Sequence, residues 1–199
     1  SALTQHTMAP TLALALGFLS SVLAATVEPR TGINFPEKQN GGSLQRLGVR
    51  TKGPIKVYAV GEYDSGAYAL KMSYGVSAAK MASALGDALK PRCSNKKSIE
   101  DFEACLLKGL PNGAPKGTNM VFSTNGGKLG VAINGKQVGS IGNGELCKAF
   151  RGIYTDKNAV CAMNPIGDVE SGGGSSCITP TKGALIGAGV GYAIGKVMS

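Results

Sequence analysis

The central part of the chain alternates between segments with the periodicity of strands and segments with the periodicity of helices. Ile55–Tyr63 is rich in β-branched and aromatic residues, which predicts a strand. Two further runs are separated by Asn-Gly-Gly and a third follows Asn-Gly, and both turns are typical of hairpins. These three strands are predicted over Thr118–Thr124, Lys128–Ile133 and Lys136–Ile141, and a short strand or connector is predicted over Leu70–Tyr74.

Three segments have apolar residues at helical spacing. Val76–Leu89 predicts the first helix, and the second is predicted to begin at Ser98, where Asp101 three residues later resembles a capping box. The second helix ends near Gly109, and Glu145–Tyr154 predicts the third. The order of strand, helices, meander and helix predicts one α+β domain over residues 28–163, with the helices packed against an antiparallel sheet.

The N-terminal segment, residues 1–27, contains no Lys, Arg, Asp or Glu. Its apolar run Met8–Ala25 would be about 27 Å long as a helix, close to the thickness of a bilayer core. We therefore predict a membrane helix, or a helix lying among other membrane helices. The alternative interpretation is the remnant of a signal peptide.

The C-terminal part divides into a Gly- and Ser-rich linker, residues 164–180, and a second uncharged stretch within residues 181–199. Glycines recur there every four residues, so that on a helix they would share one face and allow a partner helix to approach closely. A flexible glycine-rich tail is the alternative. The glycines of this predicted packing face are Gly183, Gly187, Gly191 and Gly195.

The charge pattern argues against nucleic acid as a partner. The formal net charge is +9, but the 21 Lys and Arg residues are scattered and no RNA-binding aromatic motif accompanies them. A basic domain of this kind suits anionic lipid headgroups or an acidic protein surface better.

The residues available for chemistry exclude several enzyme classes. The only histidine, His6, lies outside the predicted domain, which excludes Ser-His and Cys-His catalysis within it. None of the five cysteines forms a CxxC pair, so no metal site is predicted. Cys93–Cys105 and Cys161–Cys177 are conceivable disulfides, although reduced thiols are slightly favoured. No phosphate-binding glycine motif is present.

Three segments in order resemble the chalcone isomerase superfamily: Gly48–Tyr63, Pro115–Ile141 and Glu145–Val160. The first segment is similar to the family's loop arginine and the strand that follows it. The second is similar to the family's hairpin, and the third to its last helix. The resemblance covers about residues 33–161. It implies an open-faced sandwich in which a long antiparallel sheet lies under a layer of helices.

The resemblance also implies where a site would lie. In the isomerases an Arg binds the substrate's phenolate, and a Thr, a Tyr and an Asn complete the set. Here Arg50 matches the Arg, Tyr58 stands at the Thr position, and Val76 and Ser83 fall at the other two. We therefore expect no isomerase activity. Fatty-acid-binding members of the superfamily pair the Arg with a lipid carboxylate, which makes Arg50 and Tyr58 candidate ligand-binding residues. The alternative for Arg50 is a solvated loop residue or a structural ion-pair partner.

From these features we expect a non-enzymatic accessory subunit of an organellar membrane complex, with other membrane subunits and the bilayer as its partners. A photosystem or light-harvesting assembly of the plastid thylakoid is the favoured setting, and the mitochondrial inner membrane is the alternative. No cofactor of its own is expected, apart from a bound fatty acid or lipid, and pigments would be contacted only through neighbouring subunits. The alternative function is a membrane-tethered protein that binds a fatty acid or related lipid in an apolar cavity with Arg50 at its mouth.

Overall fold

The computed structural model describes residues 25–167, which form ten strands and three α-helices. The strands are β1 (Ala25–Glu28), β2 (Ile33–Pro36), β3 (Lys38–Gln39), β4 (Gly42–Lys52), β5 (Ile55–Tyr63), β6 (Ala67–Met72), β7 (Asn119–Ser123), β8 (Lys128–Ile133), β9 (Lys136–Gly142) and β10 (Met163–Pro165). The helices are α1 (Ala78–Leu89), α2 (Lys96–Gly109) and α3 (Gly144–Thr155).

The main sheet is antiparallel, and its strands follow the order β10-β4-β5-β6-β7-β8-β9, with β3 beside β4. From β4 to β9 each strand therefore lies next to its neighbour in sequence, and α1 and α2 are inserted between β6 and β7. This meander brings the turns after β4 and β6 to the same end of the sheet. The α+β class and the antiparallel sheet with helices are confirmed.

One face of the sheet carries the larger core, and the three helices pack on it. Its centre is aromatic: Phe122 of β7 and Phe150 of α3 have ring centroids 4.7 Å apart, and Phe102 of α2 contacts both rings. The Tyr68 ring of β6 stacks on Tyr154 of α3 at 5.4 Å. All five rings are buried, so this cluster fixes α2 and α3 on the sheet.

The opposite face carries a smaller core, which includes three alanines of β5 and β6, and it is partly covered by the hairpin of β1 and β2. Phe35 of β2 is fully buried there, and a Cβ added at Gly61 would lie 2.8 Å from its ring. The Tyr63 hydroxyl donates to the carbonyl of Pro36 (3.0 Å), and the Lys71 ammonium donates to that of Asn34 (2.6 Å). The sandwich is therefore less open on this face than the resemblance implies.

The predicted start of the second helix is wrong. The helix begins at Lys96, and its N-cap is Asn95, whose side chain accepts a hydrogen bond from the Ser98 amide at 3.0 Å. Ser98 is instead buried inside the first turn, where its hydroxyl accepts from the Asn143 side chain at 2.8 Å. At an N-cap, Asn accepts hydrogen bonds from backbone amides as readily as Ser does. The residue types alone therefore did not show whether Asn95 or Ser98 is the cap.

Both predicted domain boundaries move outward by a few residues. Ala25–Val27 were assigned to the N-terminal helical segment but belong to β1, and Asn164 and Pro165 were assigned to the linker but belong to β10. Their pairing with β2 and β4 decides their conformation. The rest of the segment 1–27, the linker and the glycine face of Gly183, Gly187, Gly191 and Gly195 lie outside the described residues. Within residues 25–167, no helix has the length and apolar character needed to cross a bilayer.

Candidate functional site

Arg50 lies in a strand and not in the loop that the resemblance implied. It is close to the end of β4, and its register partner on β5 is Tyr58. The sequence of β4 contains glycines and charged residues, which hid this strand from the periodicity. Because directly paired residues project on the same face of a sheet, both candidate ligand-binding residues point toward the helix layer.

A β-bulge lies next to this pair. Arg50 pairs with Tyr58 and Thr51 pairs with Lys56, so that Val57 is an extra residue on β5. Its carbonyl accepts two amides, from Ser73 and Tyr74, each at 3.0 Å. A bulge bends its strand and redirects side chains locally. Here the bulge lies at the start of β5, where this strand borders a space beneath α1.

That space is a cleft of about 720 Å³ between α1, the end of β4 and the start of β5. Its volume lies within the range of roughly 300–1,000 Å³ that is usual for small-molecule sites. Arg50, Lys52 and Lys80 provide cationic groups near the opening, and Asp87 provides the acidic one. The remaining wall is largely apolar. It includes Ile55, Val57, Tyr58, Tyr74, Val76, Ala79, Met81, Ala84, Leu85, Ala88, Ile153 and Val160.

The Arg50 guanidinium is exposed in this cleft and has one partner among the described residues. Its Nη1 donates to the carbonyl of Val160 at 2.6 Å. Within residues 25–167, no carboxylate lies within ion-pair distance of it. Because a guanidinium has five N–H donors, Arg50 is anchored by one and presents the others to the cleft. An ion-pair role is not observed in the described part of the chain.

Tyr58 and Tyr154 form a hydroxyl pair behind Arg50, with their oxygens 3.3 Å apart. Burial raises the pKa of Tyr58 to about 12 and raises the pKa of Tyr154 as well, so both are neutral at pH 7. Each hydroxyl has one hydrogen to donate, and the bond between them uses one of the two. No other hydrogen bond to these oxygens occurs among the described residues, so one hydrogen remains for an acceptor.

The described part of the chain contains four of the five cysteines. Cys93, Cys105, Cys147 and Cys161 all have free thiols, so the conceivable Cys93–Cys105 disulfide is not formed, and Cys177 lies outside the described residues. Cys161 is next to the site, but burial raises the pKa of its thiol to about 11. A thiol with this pKa is protonated and weakly nucleophilic at pH 7.

The two positions that correspond to the isomerase Tyr and Asn lie in the same cleft. Val76 offers no polar group, and the Ser83 hydroxyl is close to Asp87 of its own helix (3.4 Å). Arg50 and Tyr58 thus lie side by side in the cleft, but no further polar groups of the isomerase set converge on them. Among residues 25–167, no cluster of His, Cys, Asp and Glu could hold a metal ion.

Sequence reasoning missed the residues that complete the site from the far end of the domain. Tyr154 was expected only as the end of a helix, and Val160 was not singled out. They lie 96 and 110 residues from their partners Tyr58 and Arg50. The resemblance over Glu145–Val160 was the one signal that brought this segment near the sheet.

The fold has a solved counterpart in a plant protein. A crystal structure of a fatty-acid binding protein from Arabidopsis thaliana superimposes with a TM-score of 0.60 at 21% sequence identity. The matched region covers 69% of this chain and 92% of the Arabidopsis protein. No protein-family model matches the sequence, and neither does a curated protein. The fold that the three sequence segments predicted is therefore confirmed, and the chain has the chalcone-isomerase-like architecture.

Proposed function

We propose that this chain is a non-enzymatic binding protein for a fatty acid or a closely related lipid carboxylate. The observation that carries the proposal is the position of Arg50. Its guanidinium is anchored through one N–H and lies at the opening of a largely apolar cleft, with no carboxylate of residues 25–167 to neutralise it.

The carboxylate of the ligand would take the place of that missing partner. A carboxylic acid is ionised at pH 7, and the arginine fork matches its two oxygens. Tyr58 lines the cleft beside Arg50, and the spare hydrogen of the Tyr58–Tyr154 pair suits a third hydrogen bond to the ligand's carboxylate. The hydrocarbon chain would then extend along Val76, Ala79 and Leu85.

Typical interaction energies indicate how much each part of the cleft contributes to the affinity for the ligand. A hydrogen bond to a charged group contributes about 1.5–3 kcal/mol net, whereas burial of each methylene contributes about 0.8 kcal/mol. For a ligand with ten or more buried methylenes, the apolar wall therefore provides most of the affinity, and Arg50 selects the carboxylate and fixes its orientation. Affinity should rise with chain length up to the capacity of the cleft.

The Arabidopsis counterpart adds independent support, because it is described as a fatty-acid binding protein and has the same fold. The accessory-subunit hypothesis depends on the two terminal segments, which lie outside the described residues, and it stays a prediction. So do the organelle and the membrane partners. The described residues favour the binding function.

The experiment is a displacement titration with the full chain. A fluorescent fatty acid is bound first and then displaced by palmitate, or by palmitate methyl ester, which has no ionised carboxylate. Palmitate should displace the probe far better than the ester. Arg50→Ala should weaken palmitate binding by about tenfold to a hundredfold and leave the weak ester unaffected.

Arg46→Ala is the matched control, because Arg46 is on the same strand and face but contacts Glu62 at 3.7 Å, away from the cleft. It should leave binding unchanged. If both variants lose affinity equally, or if Arg50→Ala loses none, Arg50 is not the carboxylate partner. Conversion of a chalcone by the wild-type chain would contradict the non-enzymatic part of the proposal.

A further inference from the structure

The end of the sheet that bears the cleft opening also bears a set of exposed basic side chains. The antiparallel order places the β4–β5 turn, the end of β6 and the start of β7 at this end. The backbone amide of Gly117 donates to the carbonyl of Met72, which holds the loop before β7 there as well. We call the four exposed basic residues of these turns and of the adjoining β1–β2 turn the cationic rim. They are Arg30, Lys52, Lys56 and Lys116.

No acidic group of the described residues offsets the rim through an ion pair. None of its four members takes part in the ion pairs found within residues 25–167. Lys56 instead donates to the carbonyl of Arg30, which joins the β1–β2 turn to β5. The acid of that turn, Glu28, is buried and accepts the amides of Arg30 and Thr31.

Two large apolar side chains stand out from the same surface. Ile55 is 41% exposed and Tyr74 is 53% exposed, and both lie at the opening of the cleft. Ile55 follows a two-residue turn that starts at Gly53, whose φ of +57° few other residues adopt. The tight turn holds Ile55 between Lys52 and Lys56 at the tip of the hairpin.

We propose that the cationic rim docks this end of the domain on an anionic lipid bilayer, with Ile55 and Tyr74 inserted among the headgroups and the cleft opening against the membrane. The proposal rests on the binding function above, because docking would supply the route by which a lipid with low solubility in water reaches Arg50. Basic residues close to an anionic surface each strengthen adsorption, and apolar side chains between them anchor it.

A bilayer fits this surface better than a nucleic acid or an acidic protein. A polyanion of either kind would satisfy the rim but would leave Ile55 and Tyr74 in contact with charge and water. Aromatic rings with a polar tip, such as Tyr74, favour the interface between headgroups and acyl chains. The rim lies next to the opening of a largely apolar cleft. This position favours a partner that can also supply a lipid to the cleft, as a bilayer does.

The test uses the absence of tryptophan from the chain. Ile55→Trp introduces a single reporter at the proposed contact. Leu107→Trp introduces one on α2, where Leu107 is 45% exposed, and α2 packs on β8 and β9 at the opposite side of the sheet from the β4–β5 turn. Both full-length variants are mixed with phosphatidylcholine vesicles that contain phosphatidylserine, with or without brominated acyl chains. The emission of Ile55→Trp should shift to the blue and be quenched by the brominated lipid, whereas that of Leu107→Trp should not change.

A charge series separates docking from ligand binding. Lys56→Gln with Lys116→Gln removes two rim charges that do not line the cleft, and vesicle partitioning should fall by about thirtyfold. Lys128→Gln with Lys148→Gln removes the same charge elsewhere on the surface and should have little effect. Palmitate displacement in the absence of vesicles should be the same in both double variants.

The outcomes distinguish this proposal from the function on which it rests. If palmitate binds in solution but neither the blue shift nor the charge dependence appears, docking is wrong and the binding function stands. If both tryptophans shift together, or if polyglutamate or RNA shifts Ile55→Trp and vesicles do not, docking through the rim is wrong. If palmitate does not bind in solution, the binding function itself has failed.

Discussion

Arg50 and Tyr58 lie directly opposite each other on β4 and β5, and each is held by a residue from the far end of the domain. Val160 accepts a hydrogen bond from Arg50, and Tyr154 shares one with Tyr58. Two neighbouring strands therefore present a cation and a hydroxyl side by side, while the segment from α3 to β10 fixes both from behind. The geometry of the site depends on this segment as much as on the strands.

Filling the cleft should weaken palmitate binding without unfolding the domain. Ala84 is exposed on α1 and lines the cleft, so Ala84→Phe places a ring in the space intended for the hydrocarbon chain. We expect palmitate affinity to fall by at least about tenfold, with a free energy of unfolding within about 0.5–1 kcal/mol of wild type. Ala104→Phe, at an exposed position of α2, is the control for the cost of the substitution itself. Equal affinities in the two variants would place the ligand elsewhere.

Gly48 should be needed for the edge of the sheet next to the site. A Cβ at this position would lie 2.5 Å from the Met163 sulfur and 2.7 Å from the carbonyl oxygen of Ala162. This segment directly follows Val160, the partner of Arg50, so we expect a shift of its backbone to displace Val160. We expect Gly48→Ala to destabilise the fold by about 1–3 kcal/mol in urea denaturation and to weaken palmitate binding as well.

The matched control is Gly142→Ala at the other edge of the sheet, where an added Cβ meets no atom within 4 Å. That variant should retain both stability and affinity. If Gly48→Ala lost stability but bound palmitate normally, the hold of Val160 on Arg50 would be unimportant for the ligand.

Stability should fall at alkaline pH because of the buried tyrosine pair. The pKa of Tyr58 is about 12 when folded and close to 10 when unfolded, so above pH 10 the unfolded chain binds fewer protons than the native one. The stability that the neutral Tyr58 hydroxyl contributes is fully present below pH 10. It is lost as the pH rises toward 12, at up to about 1.4 kcal/mol of unfolding free energy per pH unit. Urea denaturation between pH 8 and pH 11 should show a shallower loss for Tyr58→Phe than for wild type. Parallel slopes would show that Tyr58 ionises equally in both states.

Asn143 should stabilise the helix layer and have no part in binding. Its side-chain oxygen accepts the amides of Glu145 and Leu146 at 2.9 and 3.0 Å, and its nitrogen donates to Ser98. We expect Asn143→Ala to lower the free energy of unfolding by about 1–2 kcal/mol. Asn143→Asp keeps the cap and should recover most of that loss. Palmitate affinity should be the same in all three proteins, and a change in it would connect α2 and α3 to the cleft.

Elements fixed by local pattern could be predicted closely. β5 has the predicted bounds because β-branched and aromatic residues recur along it from Ile55 to Tyr63. β4 was missed because two of its positions are shaped by contacts remote in sequence. Gly48 makes room for Met163, and Arg50 is held by Val160, so neither position reads as part of a strand. Tyr154 and Val160 were missed as site residues because they also reach the site through contacts remote in sequence. The motif around Arg50 and Tyr58 identified the other two residues of the candidate site.

The bulge at Val57 divides β5 into two parts that evolution can alter separately. Residues after it face two close-packed cores, where a change of a single methylene is costly. Residues before it, Ile55 and Lys56, are exposed: Ile55 lies at the opening of the cleft, and Lys56 belongs to the cationic rim beside it. Variation at the opening could therefore change which lipid is accepted, or which surface supplies it, while the cores stay as they are. A single extra residue gives this scaffold a specificity region that can diversify without loss of the fold.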